Sequence, residues 1–310
     1  MIEKNNSSIN LLIVGGSGFI GSHIVKEAIN LGMEVTIISR NKISESKKQL
    51  HAANYLNVDI SDDNKLKEIL NNKRFHYVIN LGGYVDHTNY FVGGNKVFDV
   101  HFNGTKNLVD SIDRSFLKCF IQIGSSDEYG HNSAPQNEEQ RELSFSPYSV
   151  AKTASTHFLQ MLYRADDFPV VVLRPFLVYG PGQNSKRFIP QIINGCLNNK
   201  NFSTSEGSQL RDFCYIDDFV QSVFFALESS KALGEVINIS SGKPIAIKEV
   251  IVKIQNMIST GTPMFGSSDY RKGENMSLYA DISKAKKILN WQPKVSIDIG
   301  LERTIDSFRG

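Results

Sequence analysis

The chain has 310 residues, 41% of them apolar, and a formal net charge of +2. That is enough for one large α/β domain, alone or with a smaller lobe, and enough apolar material for its core. So small a charge excess gives no basis for binding nucleic acid or an anionic membrane surface, and no apolar run approaches the length of a membrane span.

Short β-rich runs alternate with helical patterns through the first half. The predicted strands are 11–14, 34–38, 54–58, 76–81, 118–124 and 169–174, with helices near 22–31, 62–71, 95–113 and 147–165. Strands alternating with helices imply parallel pairing and right-handed crossovers, hence an α/β fold with a doubly wound parallel sheet. Past Gly180-Pro181-Gly182 the rhythm changes, with helices predicted at 187–199, 216–229, 246–259 and 282–289 and one strand at 236–239. The expected division is a Rossmann-like cofactor domain over 1–180 and a smaller α/β substrate lobe over 181–310. The 236–239 strand returns to the main sheet in that scheme. The polar stretch 131–144 reads as a loop able to close over a site. Cys119, Cys196 and Cys214 lie far apart in apolar surroundings, a spacing that suits neither a disulfide framework nor a metal site. Met1 to Ser8 lacks the apolar core of a signal peptide, so a cytoplasmic location is expected.

The first chemical signal is Ile13-Val-Gly-Gly-Ser-Gly-Phe-Ile-Gly21. Gly15, Gly18 and Gly21 recur every three residues where a strand turns into a helix. This arrangement sets a dinucleotide pyrophosphate on a helix N-terminus. The first glycine permits the turn, the second lets backbone approach phosphate, and the third allows close helix–strand packing.

The second signal is Tyr148-Ser-Val-Ala-Lys152. Residues four apart share a helix face, and an ammonium beside a phenol favours the phenolate. Bringing the phenol from its usual value to neutrality takes roughly 4 kcal/mol of such stabilisation. The product is an acid–base group working near physiological pH. Ser125 and Ser126 follow the 118–124 strand, at the sheet edge where doubly wound folds bind ligands. A hydroxyl there either hydrogen-bonds the reacting oxygen or caps the turn.

Together these features resemble the extended short-chain dehydrogenase/reductase family, in its nucleotide-sugar epimerase, dehydratase and reductase branch. The likeness runs along nearly the whole chain. Asn80-Leu-Gly-Gly83, Leu173-Arg-Pro-Phe-Leu-Val-Tyr-Gly-Pro181, Gln209-Leu-Arg-Asp-Phe-Cys-Tyr-Ile-Asp-Asp218, Arg271-Lys-Gly-Glu274 and Leu289-Asn-Trp-Gln-Pro293 extend it. The resemblance implies Ser125, Tyr148 and Lys152 as catalytic residues. It implies a cofactor held by Gly15, Gly18, Phe19, Ile20, Gly21, Ser39, Arg40, Asp59, Ile60, Leu81, Gly82, Tyr148, Lys152 and Pro175. The substrate falls to Ser126, Asp127, Tyr148, Arg211 and Arg271, the two arginines suiting a diphosphate. No metal is implied.

Several positions depart from the family pattern. NAD-specific members carry an Asp near Ser39. Here no carboxylate would repel a 2′-phosphate and Arg40 could pair with it, so NADP(H) is favoured, with NAD(H) the alternative. Leu177 and His101 stand where relatives commonly place Asn. Dehydratases of the family place Thr-Asp-Glu near this Ser125–Glu128 segment, and the loop length leaves open which carboxylates would face a substrate.

The expected activity is an NADP(H)-dependent C4 reductase of a 4-keto sugar nucleotide, with Tyr148 donating the proton. The alternatives are an NAD-dependent 4-epimerase, a 4-dehydrogenase, and a non-catalytic protein on the same fold. The expected partner is a nucleoside-diphosphate sugar, with no nucleic acid or membrane. A homodimer is predicted through 95–113 and 147–165, although Val97, Val100, Leu108, Phe158, Leu159 and Leu162 also fit ordinary core packing.

Overall fold

The computed structural model describes residues 9–40, 50, 52–270 and 273–309. In chain order the elements begin β1 (Asn10–Val14), α1 (Phe19–Asn30), β2 (Glu34–Ser39), β3 (Asn54–Asn57), α2 (Asp63–Leu70) and β4 (Tyr77–Asn80). Next come α3 (Lys96–Phe98), α4 (Gly104–Ser111), β5 (Cys119–Ile123), α5 (Pro147–Asp166) and β6 (Val170–Pro175). The remainder comprises β7 (Leu177–Tyr179), α6 (Phe188–Leu197), β8 (Asn201–Ser203), β9 (Leu210–Tyr215), α7 (Ile216–Glu228), β10 (Val236–Ile239) and β11 (Pro244–Ala246). Last are α8 (Ile247–Ile258), β12 (Thr262–Met264), β13 (Ser277–Leu278), α9 (Ser283–Leu289) and α10 (Ile297–Arg309).

Seven strands form one parallel sheet in the order β10-β6-β5-β4-β1-β2-β3. The inner strands are apolar runs buried on both faces, as a helix-covered parallel sheet requires. Their side chains alternate between two cores. Leu11, Ile13, Ile121 and Leu173 join one, while Leu12, Val14, Phe120 and Val172 join the other. Strand order reverses between β1 and β4, the switch point where the carboxyl ends of such sheets leave a crevice.

The 236–239 strand does return to the main sheet, pairing with β6. The region after β6 also builds a four-stranded sheet from β7, β9, β11 and β13, and a separate β8–β12 pair.

Two helical segments position the chemistry. Ser146 caps α5 by accepting from the Ser149 amide at 3.1 Å, and Pro147 opens the helix. The buried face of α5 then carries Tyr148, Ala151, Lys152, Ser155, Thr156 and Leu159. The predicted 95–113 helix runs from Lys96 to Ser111 with a π-turn over Asp99–Asn103. The His101 carbonyl in that turn accepts from Thr105 Oγ1 at 2.6 Å and from Ser155 Oγ of α5 at 2.8 Å.

Val97, Val100, Leu108 and Leu159, named in the dimer expectation, are buried within the chain itself, while Phe158 and Leu162 are half-buried. The three cysteines are free and buried. Among the described residues no helix is long and apolar enough to cross a membrane.

Candidate active site

A cleft of about 1160 Å³ runs along the carboxyl ends of the sheet, from the glycine turn to the smaller lobe. At one end Gly15 turns with φ +77, and its amide donates to the Ile38 carbonyl at 2.8 Å. A Cβ at Gly21 would stand 2.3 Å from the Gly15 carbonyl oxygen, so helix and turn can pack this closely only with glycine there. Helix α1 has neither a side-chain cap nor an acidic residue in its first turn. Its first-turn amides, at Phe19 and Ile20 among others, therefore face the cleft as an anion site.

Further along, Ser39 Oγ lies 2.9 Å from Ser17 Oγ. Arg40 pairs with Asp59 at 3.7 Å and its guanidinium sits 5.9 Å from the Tyr84 ring centroid. Arg40 thus has partners of its own, where the sequence reading had it available for a phosphate. Asn80 is buried, donates to Thr105 Oγ1 at 3.1 Å and to Gln122 Oε1 at 2.9 Å, and accepts from the Gly82 amide at 2.9 Å. That network fixes Leu81 and Gly82 on the cleft wall.

At the sheet edge after β5, Ser125 caps a short 3-10 turn over Ser126–Tyr129. Its Oγ accepts from the Asp127 amide at 3.1 Å while its own amide donates to Glu128 Oε1 at 2.8 Å. Ser125 thus caps the turn and also lines the cleft. Glu128 is fully buried, accepting from Thr156 Oγ1 at 2.8 Å and pairing with Arg174 at 2.8 Å. Arg174 also donates to Glu142 at 2.6 Å. Of the two carboxylates the sequence left open, Asp127 alone lines the cleft. Desolvation raises its pKa against the opposing charges of His87, Arg187 and Arg211.

Tyr148 and Lys152 both line the cleft, with Lys152 Nζ 6.0 Å from the Tyr148 ring centroid. Lys152 Nζ donates to the Ile123 carbonyl at 2.7 Å, and burial brings its pKa down to about 8. Burial and then the Asp127 carboxylate push the Tyr148 phenol above its ordinary value, with Ser125 acting in the opposite direction. The expected acidic phenol is therefore not a property of the protein alone, because desolvation outweighs the lowering effects of Ser125 and Arg187. A further positive charge against the ring face is what would favour the phenolate.

Two imidazoles stand edge-on to Tyr148: His101 at 5.1 Å and His87 at 5.7 Å between ring centroids. His101 is buried, with Nε2 2.8 Å from the Tyr84 carbonyl, and burial lowers its pKa to about 3. It is a neutral ring that donates from Nε2. On the lobe side, Arg211 pairs with Glu274 and donates to the Leu210 carbonyl at 2.8 Å. Arg187 lines the cleft at the start of α6.

The model of the NAD dependent epimerase/dehydratase family matches residues 11–240. This chain belongs to that family. It is 29% identical to the UDP-glucuronate 4-epimerase of Thermodesulfobacterium geofontis, over 95% of this chain and 94% of that protein. The Thermotoga maritima UDP-glucose 4-epimerase, solved with UDP-glucose, superposes with a TM-score of 0.90 at 26% identity, over 97% of this chain and 99% of that one. The Bacillus cereus UDP-glucuronic acid 4-epimerase, solved with UDP-glucuronic acid and NAD, gives 0.84 at 27% identity, with the same coverage of both chains.

For this member of the epimerase/dehydratase family, the cleft gathers every described residue named from the sequence: the glycine turn, Ser39, Arg40, Asp59, Ile60, Leu81, Gly82, Ser125, Ser126, Asp127, Tyr148, Lys152, Pro175 and Arg211. Arg271 lies outside the described residues. A dinucleotide fits the donor set, since uncapped amides await a diphosphate at one end and a phenol–ammonium pair stands at the other. Sequence reasoning missed His87, Arg187 and the burial of Glu128. His87 and Arg187 carry no local motif and meet the site only through folding. Arg174 stood in a recognised signature, but its buried pair with Glu128 could not be read there. The 131–144 loop, taken as a possible cover, is tied down. Glu138 accepts from the Asn238 amide at 2.7 Å, and the Gln136 side chain donates to the Ser277 carbonyl at 3.1 Å.

Proposed function

We propose that the chain is an NAD-dependent nucleotide-sugar 4-epimerase. The observation that carries this reading is the unequal fate of two neighbouring carboxylates beside Ser125 and Tyr148. Elimination across a sugar needs an acid and a base on adjacent carbons, and Glu128 is committed to Arg174 and Thr156. What remains is a hydroxyl, a phenol and an ammonium around one reacting oxygen, which suits redox chemistry at a single carbinol. Bound NAD supplies the acceptor and later the donor of the C4 hydride. Tyr148 takes the C4 hydroxyl proton and returns it, with Lys152 steadying the charge and Ser125 holding the oxygen. Arg211 and Arg187 face the cleft where a diphosphate would lie. The likeness to three 4-epimerases supports the same reading.

A second reading, the NADP(H)-dependent C4 reductase, has one observation in its favour: β2 ends at Ser39 and Arg40 follows it, with no carboxylate at either position. One experiment separates the two. The purified protein is denatured and its released cofactor identified, and fresh protein is given UDP-glucose, UDP-glucuronate or UDP-N-acetylglucosamine. An epimerase releases NAD(H) and forms the C4 epimer with no net nicotinamide consumed. Turnover of a 4-keto sugar nucleotide that consumes added NADPH mole for mole establishes the reductase instead.

A further inference from the structure

His87 is a cleft residue that C4 chemistry leaves without a task. It sits on the loop after β4, where Asp86 Oδ1 accepts from the Thr88 amide at 2.8 Å and fixes the turn. Its ring meets Tyr148 at 5.7 Å and nearly a right angle, and its Nε2 lies 3.6 Å from Asp127 Oδ2. The other imidazole against Tyr148, His101, is buried and already engaged at Nε2 by a backbone carbonyl. His87, by contrast, is 47% exposed, so its ring can trade protons with water. A solvent-connected imidazole, a carboxylate at ion-pair distance and the phenol that handles O4 thus converge on one end of the cleft.

We propose that His87, paired with Asp127, is an acid–base group for a ring carbon next to C4, giving the site a second activity: exchange of a carbon-bound proton with solvent. The inference rests on the C4 reading above, because a C4 ketone is what acidifies C3–H and C5–H. In the 4-keto sugar, the His87 imidazole takes the proton from the neighbouring carbon through its unprotonated nitrogen. The C–H electron pair becomes the enolate double bond, and the carbonyl pair moves onto O4 beside Ser125 and Tyr148. Asp127 Oδ2 stands at ion-pair distance from the imidazolium so formed. That proton exchanges with water, and the reverse step returns a solvent proton to carbon. No electrons are gained or lost overall, and no co-reactant is needed. Return from the same face is silent except to isotope, whereas return from the opposite face inverts that carbon.

The test uses the NAD-loaded protein in D2O with UDP-glucose, UDP-glucuronate, UDP-N-acetylglucosamine and dTDP-glucose. Proton NMR reads deuterium at C3 and C5 and C4 turnover in the same sample. Deuterium is expected at one of these positions in the wild type. His87→Gln is expected to lower deuterium per C4 turnover by about tenfold or more, and Tyr148→Phe to remove both signals. C4 turnover without deuterium, or an unchanged ratio in His87→Gln, overturns this inference and leaves the C4 reading standing. Absence of C4 turnover with every sugar nucleotide overturns that reading, and this inference with it.

Discussion

Asp127 and Glu128 are neighbours in sequence and opposite in circumstance. Glu128 belongs to the floor of the site, fully buried among Arg174, Thr156 and the Ser125 amide. Asp127 belongs to the wall, half-buried, with only His87 at ion-pair distance among the described residues. Within one turn of 3-10 helix, a carboxylate that holds the framework stands next to one that can act on a ligand. The residue type says nothing about which is which. Burial and the number of donors decide it.

The sharpest way to break this contrast is to remove the floor's cation. Arg174→Met leaves Glu128 charged, buried and without its guanidinium, and removes a partner of Glu142. Losing one member of a buried pair costs about 3–5 kcal/mol, so the urea unfolding free energy should fall by that amount. Adding Glu128→Gln to Arg174→Met should recover much of the loss, because the stranded charge is then gone. If Arg174→Met unfolds like the wild type, Glu128 is not held as the hydrogen bonds indicate and is free to act beside Asp127 on a ligand.

The sequence made one side of this comparison far plainer than the other. The main sheet was legible because Leu11–Val14, Tyr77–Ile79 and Cys119–Ile121 are apolar runs, as strands covered on both faces must largely be. The glycine turn and the Tyr148–Lys152 pair were legible because each function lies within one short local segment. The smaller lobe was not. Strands β7, β8 and β11 to β13 have two or three residues each, too few for any alternation to register. Helix α10 was missed because Gly300 interrupts its apolar stripe. A Cβ there would meet Tyr179 Oη at 2.1 Å, a long-range packing demand that leaves no local signal. His87 was invisible for a related reason, since its partners are 40 and 61 positions away in the chain.

His101 gives a second, smaller test, now of the wall behind Tyr148. Its ring is neutral in the folded protein, with its pKa lowered from 6.5 to about 3, first by burial and then by the Lys152 ammonium. The unfolded chain protonates this ring below its ordinary value and the folded chain does not. Stability therefore falls as pH drops below about 6.5, and is unaffected by this group above it. By pH 5 the loss should reach about 2 kcal/mol. His101→Asn should flatten that slope by the same amount between pH 7 and pH 5 in urea titrations. An unchanged slope would mean that the imidazole is protonated in the fold, and its placement as a neutral donor to Tyr84 would be wrong.

The smallest expected effect is the most telling for the wall. Asp127→Asn removes a carboxylate whose pKa desolvation has already raised, and whose attraction to His87, Arg187 and Arg211 works across the cleft and partly in water. Exposed and half-exposed pairs of this kind contribute little, and relief of desolvation opposes what is lost. The unfolding free energy should therefore change by less than about 1 kcal/mol, against the several expected for Arg174→Met in the same assay. A loss above about 2 kcal/mol would make Asp127 a second framework carboxylate, and the difference between wall and floor would disappear. A near-zero change leaves it a charge that the fold tolerates without needing, which is the condition for a group held in place for a ligand.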